Sequence, residues 1–401
     1  MELRTITAEE IPQFMRDANT AFAESMDDAA IARDTPTIEV DRTWVIADGG
    51  RFAATGNLFS CTLTVPGGDL AVGAVSWIAV QPTHRRRGLL TRLMHHMLRT
   101  MHDEGEAVAG LWASEFPIYG RFGFGPTAPM ATLEVRGLTR ADAQGPPPEG
   151  IALVQGEGVG AAILPAWHAV RAVRPAAMDP LREEFRVAMW YDPEDDRDGW
   201  TQFNAAILPG ARGAVIYRQK PDEDGWLPDG KIKVELMLAP DGQAEAELWR
   251  FLLGLDLMTT MTSDNVSPDI VLPHLLGNPR RVSLRAIDGM WLRLIRLAEV
   301  LPARTFSCDD GLVLAVRDEV LPENDGTWLL DAGPGGATCE RTTREPDLTL
   351  DTSTLAAVWL GGNRATTLAR AGAIQQHTAG ALLRADRLFL TDVLPWCPLD
   401  F

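Results

Sequence analysis

VGAVSWIAV (Val72–Val80), QPTHRRRG (Gln81–Gly88), LLTRLMHHMLRTMHDEG (Leu89–Gly105), VAGLWA (Val108–Ala113) and SEFPIYGRFGFG (Ser114–Gly125) follow one another with only Glu106 and Ala107 intervening. The first piece is short, rich in β-branched and aromatic residues, and stops at Gln81-Pro82, so it reads as a strand. Apolar residues then fall at Leu89, Leu90, Leu93, Met94, Met97, Leu98 and Met101. That three-and-four spacing predicts an amphipathic helix from Gly88, with Gly105 as its left-handed stop. Val108–Ala113 reads as a second strand, so the chain crosses over between parallel strands through this helix. At the first joint, Arg85, Arg86, Arg87 and Gly88 place guanidinium groups and free N–H groups at a helix N-terminus, which suits a diphosphate and implies a nucleotide-bearing cofactor. A solvated basic corner is the alternative.

The R-x-x-G arrangement Arg85-Arg86-Arg87-Gly88 after VSWIAV resembles the acyl-CoA diphosphate loop of the GCN5-related N-acetyltransferases (GNAT). P-T-H-R-R-R-G-L-L followed by W-A-S-E-x-x-I-Y-G-R-F-G-F-G resembles one branch closely, the enhanced intracellular survival (Eis) family of multi-amine acetyltransferases. The closing HTAGALLRADRLF and PWCPLDF fit that branch too. Leu90 stands where a glycine or alanine is usual in the superfamily at large, but leucine is usual in the branch. The resemblance implies an α/β (α+β) fold of two tandem GNAT-like domains, the second degenerate, and then a sterol-carrier-protein-like domain. It also implies acetyl-CoA as co-substrate, aminoglycosides or lysine side chains as the substrate class, and a homohexamer.

The chain has 401 residues, 46% of them hydrophobic and 23% charged, which suggests two or three globular domains. No apolar run approaches the ~18 residues of a membrane span, and the first twenty residues are unlike a signal peptide, so a cytoplasmic protein with no membrane partner is expected. Cys61, Cys308, Cys339 and Cys397 stand far apart and signal neither a disulfide framework nor a metal site. A formal charge of −18 disfavours nucleic acid as a partner and favours cationic ligands, although acidity often serves only solubility.

In chain order, a helical pattern runs through Ile11, Phe14, Met15 and Ala18. Strands follow at Trp44–Ala47, Ala53–Val65 and Ala131–Val135, and Gly145–Gly150 reads as a linker. A first domain over 1–144 results. The second, 151–288, repeats the order with a helix at AAILPAWHAVRAV, strands Ala214–Arg218 and Lys233–Leu238, and a helix Glu245–Asp256, but no arginine-glycine loop. Its GEGVGAA cluster (Gly156–Ala162) has the spacing G-x-G-x-G and is weak evidence for a nucleotide. The third, 289–401, is expected to open with a helix over WLRLIRLAEVLPAR (Trp291–Arg304) and to continue with strands Leu312–Asp318, Gly326–Asp331 and Pro346–Asp351 under two helical stretches. The resemblance implies a structural role for it and a chain end returned to the catalytic domain.

Acetyl transfer to an amine needs a seat for acetyl-CoA, an acid for the leaving thiolate and a base for the ammonium proton. The backbone of Ile78, Ala79 and Val80 can pair with the amide-like pantetheine, and Arg86, Arg87, Gly88, Leu89, Leu90 and Thr91 can hold the diphosphate. Plain sheet core is the other reading of the strand. By resemblance Ser114 and Glu115 border the cofactor. Tyr119 follows Pro117, a helix starter, just beyond the second strand, and a phenol of pKa ~10 stays protonated beside a leaving thiol of ~8.5, so it suits the acid. A buried structural tyrosine is the alternative. No histidine sits in a pattern with a carboxylate, and the resemblance assigns the base to the free carboxylate of Phe401. An apolar anchor is the alternative there. Asp27, Asp28 and Asp400 then recruit a polycationic amine, while Phe22 and Trp77 wall its pocket. The competing function is a non-catalytic sensor of acyl-CoA or lipid, which has no use for an acid.

Overall fold

A computed structural model describes residues 1–138, 145–146, 148–221 and 229–401, so Pro147 of the linker reading and the expected end of the first domain at 139–144 lie outside the described residues. Among the described residues, thirteen strands form one continuous sheet. Its first half runs Glu2–Thr5, Thr43–Asp48, Arg51–Val65, Gly68–Val80 and Val108–Trp112, antiparallel until the last pair. That pair is parallel, and the helix Leu89–Asp103 is its crossover. The expected apolar face is the buried one, with Leu93, Met94, Met97, Leu98 and Met101 all at 0% exposure. Helix Ile11–Ala21 covers the sheet through Phe14 and Met15.

The second unit repeats the plan. Gly230–Leu238 and Met258–Val266 are parallel neighbours, joined through the helix Gly242–Leu253. At the sheet's centre the two units interleave: Val282–Leu294 lies between Val108–Trp112 and Gly125–Arg136, and Gly125–Arg136 pairs on its other edge with Met258–Val266. The final strand of the first unit therefore takes both its partners from the second.

The helix expected over Trp291–Arg304 is not there. Trp291, Leu292, Arg293 and Leu294 end the strand Val282–Leu294, and only Leu297–Val300 is helical. All four strand residues are buried because the sheet is covered on both faces at this point. A run buried on both sides loses its alternation, and periodicity then cannot tell strand from helix.

Beyond it a five-stranded sheet is ordered Gly336–Arg341, Gly326–Gly333, Asp310–Arg317, Leu348–Asp351 and Gln375–Gln376, under the helices Thr352–Trp359 and Ala381–Phe389. Helix Thr352–Trp359 lies directly on the start of Gly125–Arg136. Thr127 Oγ1 donates to Ala356 O (2.9 Å) and Asn363 Nδ2 to Pro126 O (2.7 Å). A Cβ at Gly125 would collide with the Ser353 carbonyl oxygen, and the Ala357 nitrogen would stand 3.0 Å away. Both are backbone atoms that a rotamer change cannot move aside. Gly125→Ala is therefore expected to destabilise the protein at the upper end of the ~1–3 kcal/mol of overpacking, read as a lower urea midpoint.

Candidate active site

The strand Gly68–Val80 carries a bulge. Thr55 opposes Ala79 and Asn57 opposes Ser76, so Trp77 and Ile78 face the single residue Gly56, and Trp77 takes a left-handed backbone (φ 53°). Its carbonyl accepts from Thr55 Oγ1 (2.9 Å), and its ring packs at a tilt against Phe14 (centroids 5.6 Å). On the other edge the parallel pairing to Val108–Trp112 reaches only Val72, Gly73 and Ala74. Past the bulge the two strands therefore part, and the edge of Ile78–Val80 is left without a neighbouring strand among the described residues. That opening leads into a cavity of about 630 Å³.

The helix N-terminus closes one end of the cavity. Gly88 is left-handed (φ 76°) and no side chain among the described residues caps the helix. Arg92 N–H is the first to bond back, onto Gly88 O (3.0 Å), so the N–H groups of Leu89, Leu90 and Thr91 have no intrahelical acceptor. A Cβ at Gly88 would meet nothing within 4 Å, so what requires glycine there is the backbone angle and not crowding. Arg86, itself left-handed (φ 62°), and Arg87 are exposed and make no ion pair among the described residues. Arg85 is tied back to Ala21 O (3.2 Å), and His84 Nε2 lies 3.0 Å from Asp48 Oδ2. The second unit differs at the matching point. Its helix Gly242–Leu253 is capped by Asp241, whose carboxylate accepts from Ala244 N–H (2.8 Å). One N-terminus is open to an anion and the other already holds one.

Tyr119 ends the short helix Phe116–Tyr119, whose second residue is Pro117, and is 5% exposed. Burial pushes its phenol above the ordinary value of 10.0; a hydrogen bond with Ser114 opposes this, and the Glu115 carboxylate adds to it. The phenol is thus held in its protonated form, ready to donate. Its ring meets Phe124 edge-on at 6.2 Å.

The cavity lining unites Ile78, Ala79, Val80, Arg86, Gly88, Leu89, Leu90, Thr91, Ser114, Glu115 and Tyr119 with Phe22. Arg87 and Trp77 adjoin lining residues in the chain without belonging to the lining. Arg85, read from the sequence as part of the basic joint, lines it too, and so do Ala21, His84, Ile118 and Arg121, which were not singled out from the sequence. Arg121 had a usable signal, since it lies within I-Y-G-R, whereas nothing in the sequence marks Ala21. Asp27 and Asp28 lie outside the lining and are engaged: Asp27 caps its helix by accepting from Ala30 N–H (2.7 Å), and Asp28 pairs with Arg16 (2.6 Å).

The last residues of the chain run back to the first unit. Trp112 Nε1, at the end of Val108–Trp112, donates to Leu399 O (3.1 Å), and the rings of Trp112 and Phe401 are 6.5 Å apart. Trp396 Nε1 donates to Asn265 Oδ1 (2.7 Å), and Asn265 Nδ2 to Cys397 O (3.2 Å). Asp400 is exposed as a residue, yet desolvation by the protein packed around its carboxyl pushes that group above the usual range, against a hydrogen bond from the Phe401 N–H. Phe401 and Asp400 thus lie by the strand that leads to Ser114 and Glu115, outside the lining itself. A second cavity, of about 700 Å³, opens between Arg33 and Pro36 on one side and Trp167, Trp190 and Tyr191 on the other, and contains none of the anticipated site residues. One of its walls explains part of the GEGVGAA cluster: a Cβ at Gly160 would lie 2.6 Å from the Trp190 ring.

The parted parallel strand pair offers free backbone groups to amides and the open helix N-terminus offers N–H groups to a diphosphate, and residues 2–127 match the acetyltransferase (GNAT) domain, as do residues 166–296 in a second description of that name. Residues 297–398 match the sterol carrier protein domain. The chain is an N-acetyltransferase of the GNAT class. It is 36% identical to an uncharacterized N-acetyltransferase of Streptomyces griseus, with 99% of each chain covered. Against the N-acetyltransferase Eis of Mycobacterium tuberculosis it is 33% identical, with 82% of this chain and 81% of the relative covered. The crystal structure of Eis1 from Mycobacterium abscessus superposes over the whole of both chains with a TM-score of 0.87 at 29% identity. The chain belongs to the Eis-like family. A GCN5-related N-acetyltransferase from Anabaena variabilis shares the fold at 17% identity (TM-score 0.83). No helix among the described residues is long and apolar enough to cross a membrane.

Proposed function

We propose that the protein transfers the acetyl group of acetyl-CoA to one or more amines of polycationic molecules such as aminoglycosides or lysine side chains. The observation that carries this reading is the convergence of the open Gly88 helix N-terminus, the free edge of Ile78–Val80 and the buried Tyr119 phenol on one cavity. Orphan N–H groups of Leu89–Thr91 with Arg86 and Arg87 suit the diphosphate, and the free edge suits pantetheine amides. In this reading the amine attacks the thioester carbon, its proton passes to the Phe401 carboxylate directly or through a water, and Tyr119 protonates the departing sulfur. The net charge of −18 favours cationic acceptors. A homohexamer enters only through family membership, and sedimentation velocity tests the assembly; a cytoplasmic location rests on the sequence reading alone.

The deciding assay is release of free thiol from acetyl-CoA over a panel of aminoglycosides, polyamines and lysine peptides. Turnover with cationic acceptors is expected, and thiol release with none of them would overturn the substrate class. Arg86→Ala is expected to weaken acetyl-CoA binding by roughly 1–3 kcal/mol, with a steep salt dependence. Both residues are non-glycine at the same left-handed backbone position, so the melting temperature should barely move. An unchanged calorimetric affinity removes Arg86 from the diphosphate site.

A further inference from the structure

Tyr119 is followed by the turn Gly120–Phe122, which ends on Gly123 in a left-handed conformation (φ 82°), with Gly123 N–H donating to Gly120 O at 2.9 Å. The turn holds Phe122, which is 1% exposed and meets the His95 ring of the Leu89–Asp103 helix edge-on at 6.0 Å. The turn that fixes Tyr119 therefore also touches the helix that closes the cavity.

Beneath Gly123 lies Arg293, from the strand Val282–Leu294, with its side chain at 0% exposure. A Cβ added at Gly123 would stand 2.8 Å from the Arg293 Cζ and Nε and 2.6 Å from Thr352 Oγ1. Arg293 Nη2 donates to Asp318 Oδ2 (2.5 Å) and Nη1 to Leu294 O (2.8 Å), while Nε has no hydrogen-bond partner among the described residues. Asp318 is itself fixed. Its Oδ1 accepts from the N–H groups of Val320 and Leu321 (both 3.0 Å), and its Oδ2 also accepts from Asn324 Nδ2 (2.9 Å).

For stability alone this pair is a poor investment, because desolvating both charges offsets their attraction and an apolar pair of like volume usually serves as well. What the charged pair adds is a rigid, planar group in one orientation, at the one place where Gly123 leaves no room for a side chain. We propose that Arg293, locked by Asp318 of the third domain and flanked by Thr352, is a positioning residue for acetyl transfer: it seats the Gly123 turn and so sets the Tyr119 phenol over the reacting sulfur. The sterol-carrier-like domain thereby acts on catalysis through position, touching neither acetyl-CoA nor the amine with these residues. The inference rests on the reading of Tyr119 as the acid.

The test uses the full chain with Arg293→Met and Asp318→Asn combined, which removes both charges and keeps an oxygen for Val320 and Leu321. Cooperative unfolding, acetyl-CoA affinity and amine KM within about two-fold of wild type, and a kcat lowered about ten-fold or more are expected, since small misplacements of a reacting group are costly. A folded double variant with wild-type kcat overturns the proposal. If the double variant does not fold, Arg293→Lys decides, because it keeps a charge opposite Asp318 but not the planar group under Gly123. A purely structural role predicts that lysine restores kcat, and that result overturns the proposal; a lowered kcat with unchanged KM supports it. Tyr119→Phe is run alongside. A fast Tyr119→Phe enzyme sinks the acid assignment and this inference with it, whereas a slow one beside fast Arg293 variants sinks this inference alone.

Discussion

Tyr119→Phe is expected to lose ~100-fold or more in kcat while acetyl-CoA affinity is kept, the usual contribution of a positioned general acid. The substitution preserves the ring against Phe124 and removes only the hydroxyl that Ser114 engages. Because burial and Glu115 hold the phenol above its ordinary range, the wild-type rate should fall only at a pH above that range, as the acid loses its proton, and the fall should be absent from the variant. The measurement is kcat against pH at saturating amine. A Tyr119→Phe enzyme that turns over at the wild-type rate with chemistry limiting makes Tyr119 a structural residue.

Adding one glycine after Phe401 of this 401-residue chain is expected to abolish acetyl transfer almost completely with little change in melting temperature or acetyl-CoA affinity. The approach to Phe401 is already fixed by Trp396 on Asn265, by Leu399 O on Trp112, and by the buried Cys397. The ring stays beside Trp112, but its carboxylate becomes a neutral amide, and the new carboxylate moves by up to ~3.6 Å. Misplacement of ~1 Å can cost ~100-fold. If the extended protein acetylates amines at the wild-type rate, Phe401 is an anchor and the proton goes elsewhere.

The helix Leu89–Asp103 was legible because it has one buried face, which imprints a period on the sequence, whereas the strands on either side of it, each with four consecutive buried residues, were legible from residue type and from the breakers that bound them. Arg86, Gly88 and Tyr119 were legible as residue types at a joint. The end of Val282–Leu294 was not, since Trp291 to Leu294 are buried on both faces and carry no period. Neither was the bulge at Trp77: nothing about a tryptophan announces φ 53°, which is imposed by its pairing with Thr55 and its packing on Phe14. The engagement of Asp27 as a helix cap shows a third kind of blindness, because an aspartate before a helix has the same composition whether it serves the backbone or a ligand. The second unit's lack of a diphosphate loop was visible in the sequence, but its physical form, an aspartate already standing in the socket, needed the structure.

The strand Gly125–Arg136 takes both of its sheet neighbours from residues 258–294. On the ribosome, the first unit therefore emerges with an apolar strand bare on two edges, and waits for the whole of the second unit to be synthesised before its sheet can close. Such edges invite pairing with other chains while they wait. A gene cut after the first acetyltransferase domain would deliver that unfinished state permanently, so the smallest portion that keeps this strand paired must extend through Leu294.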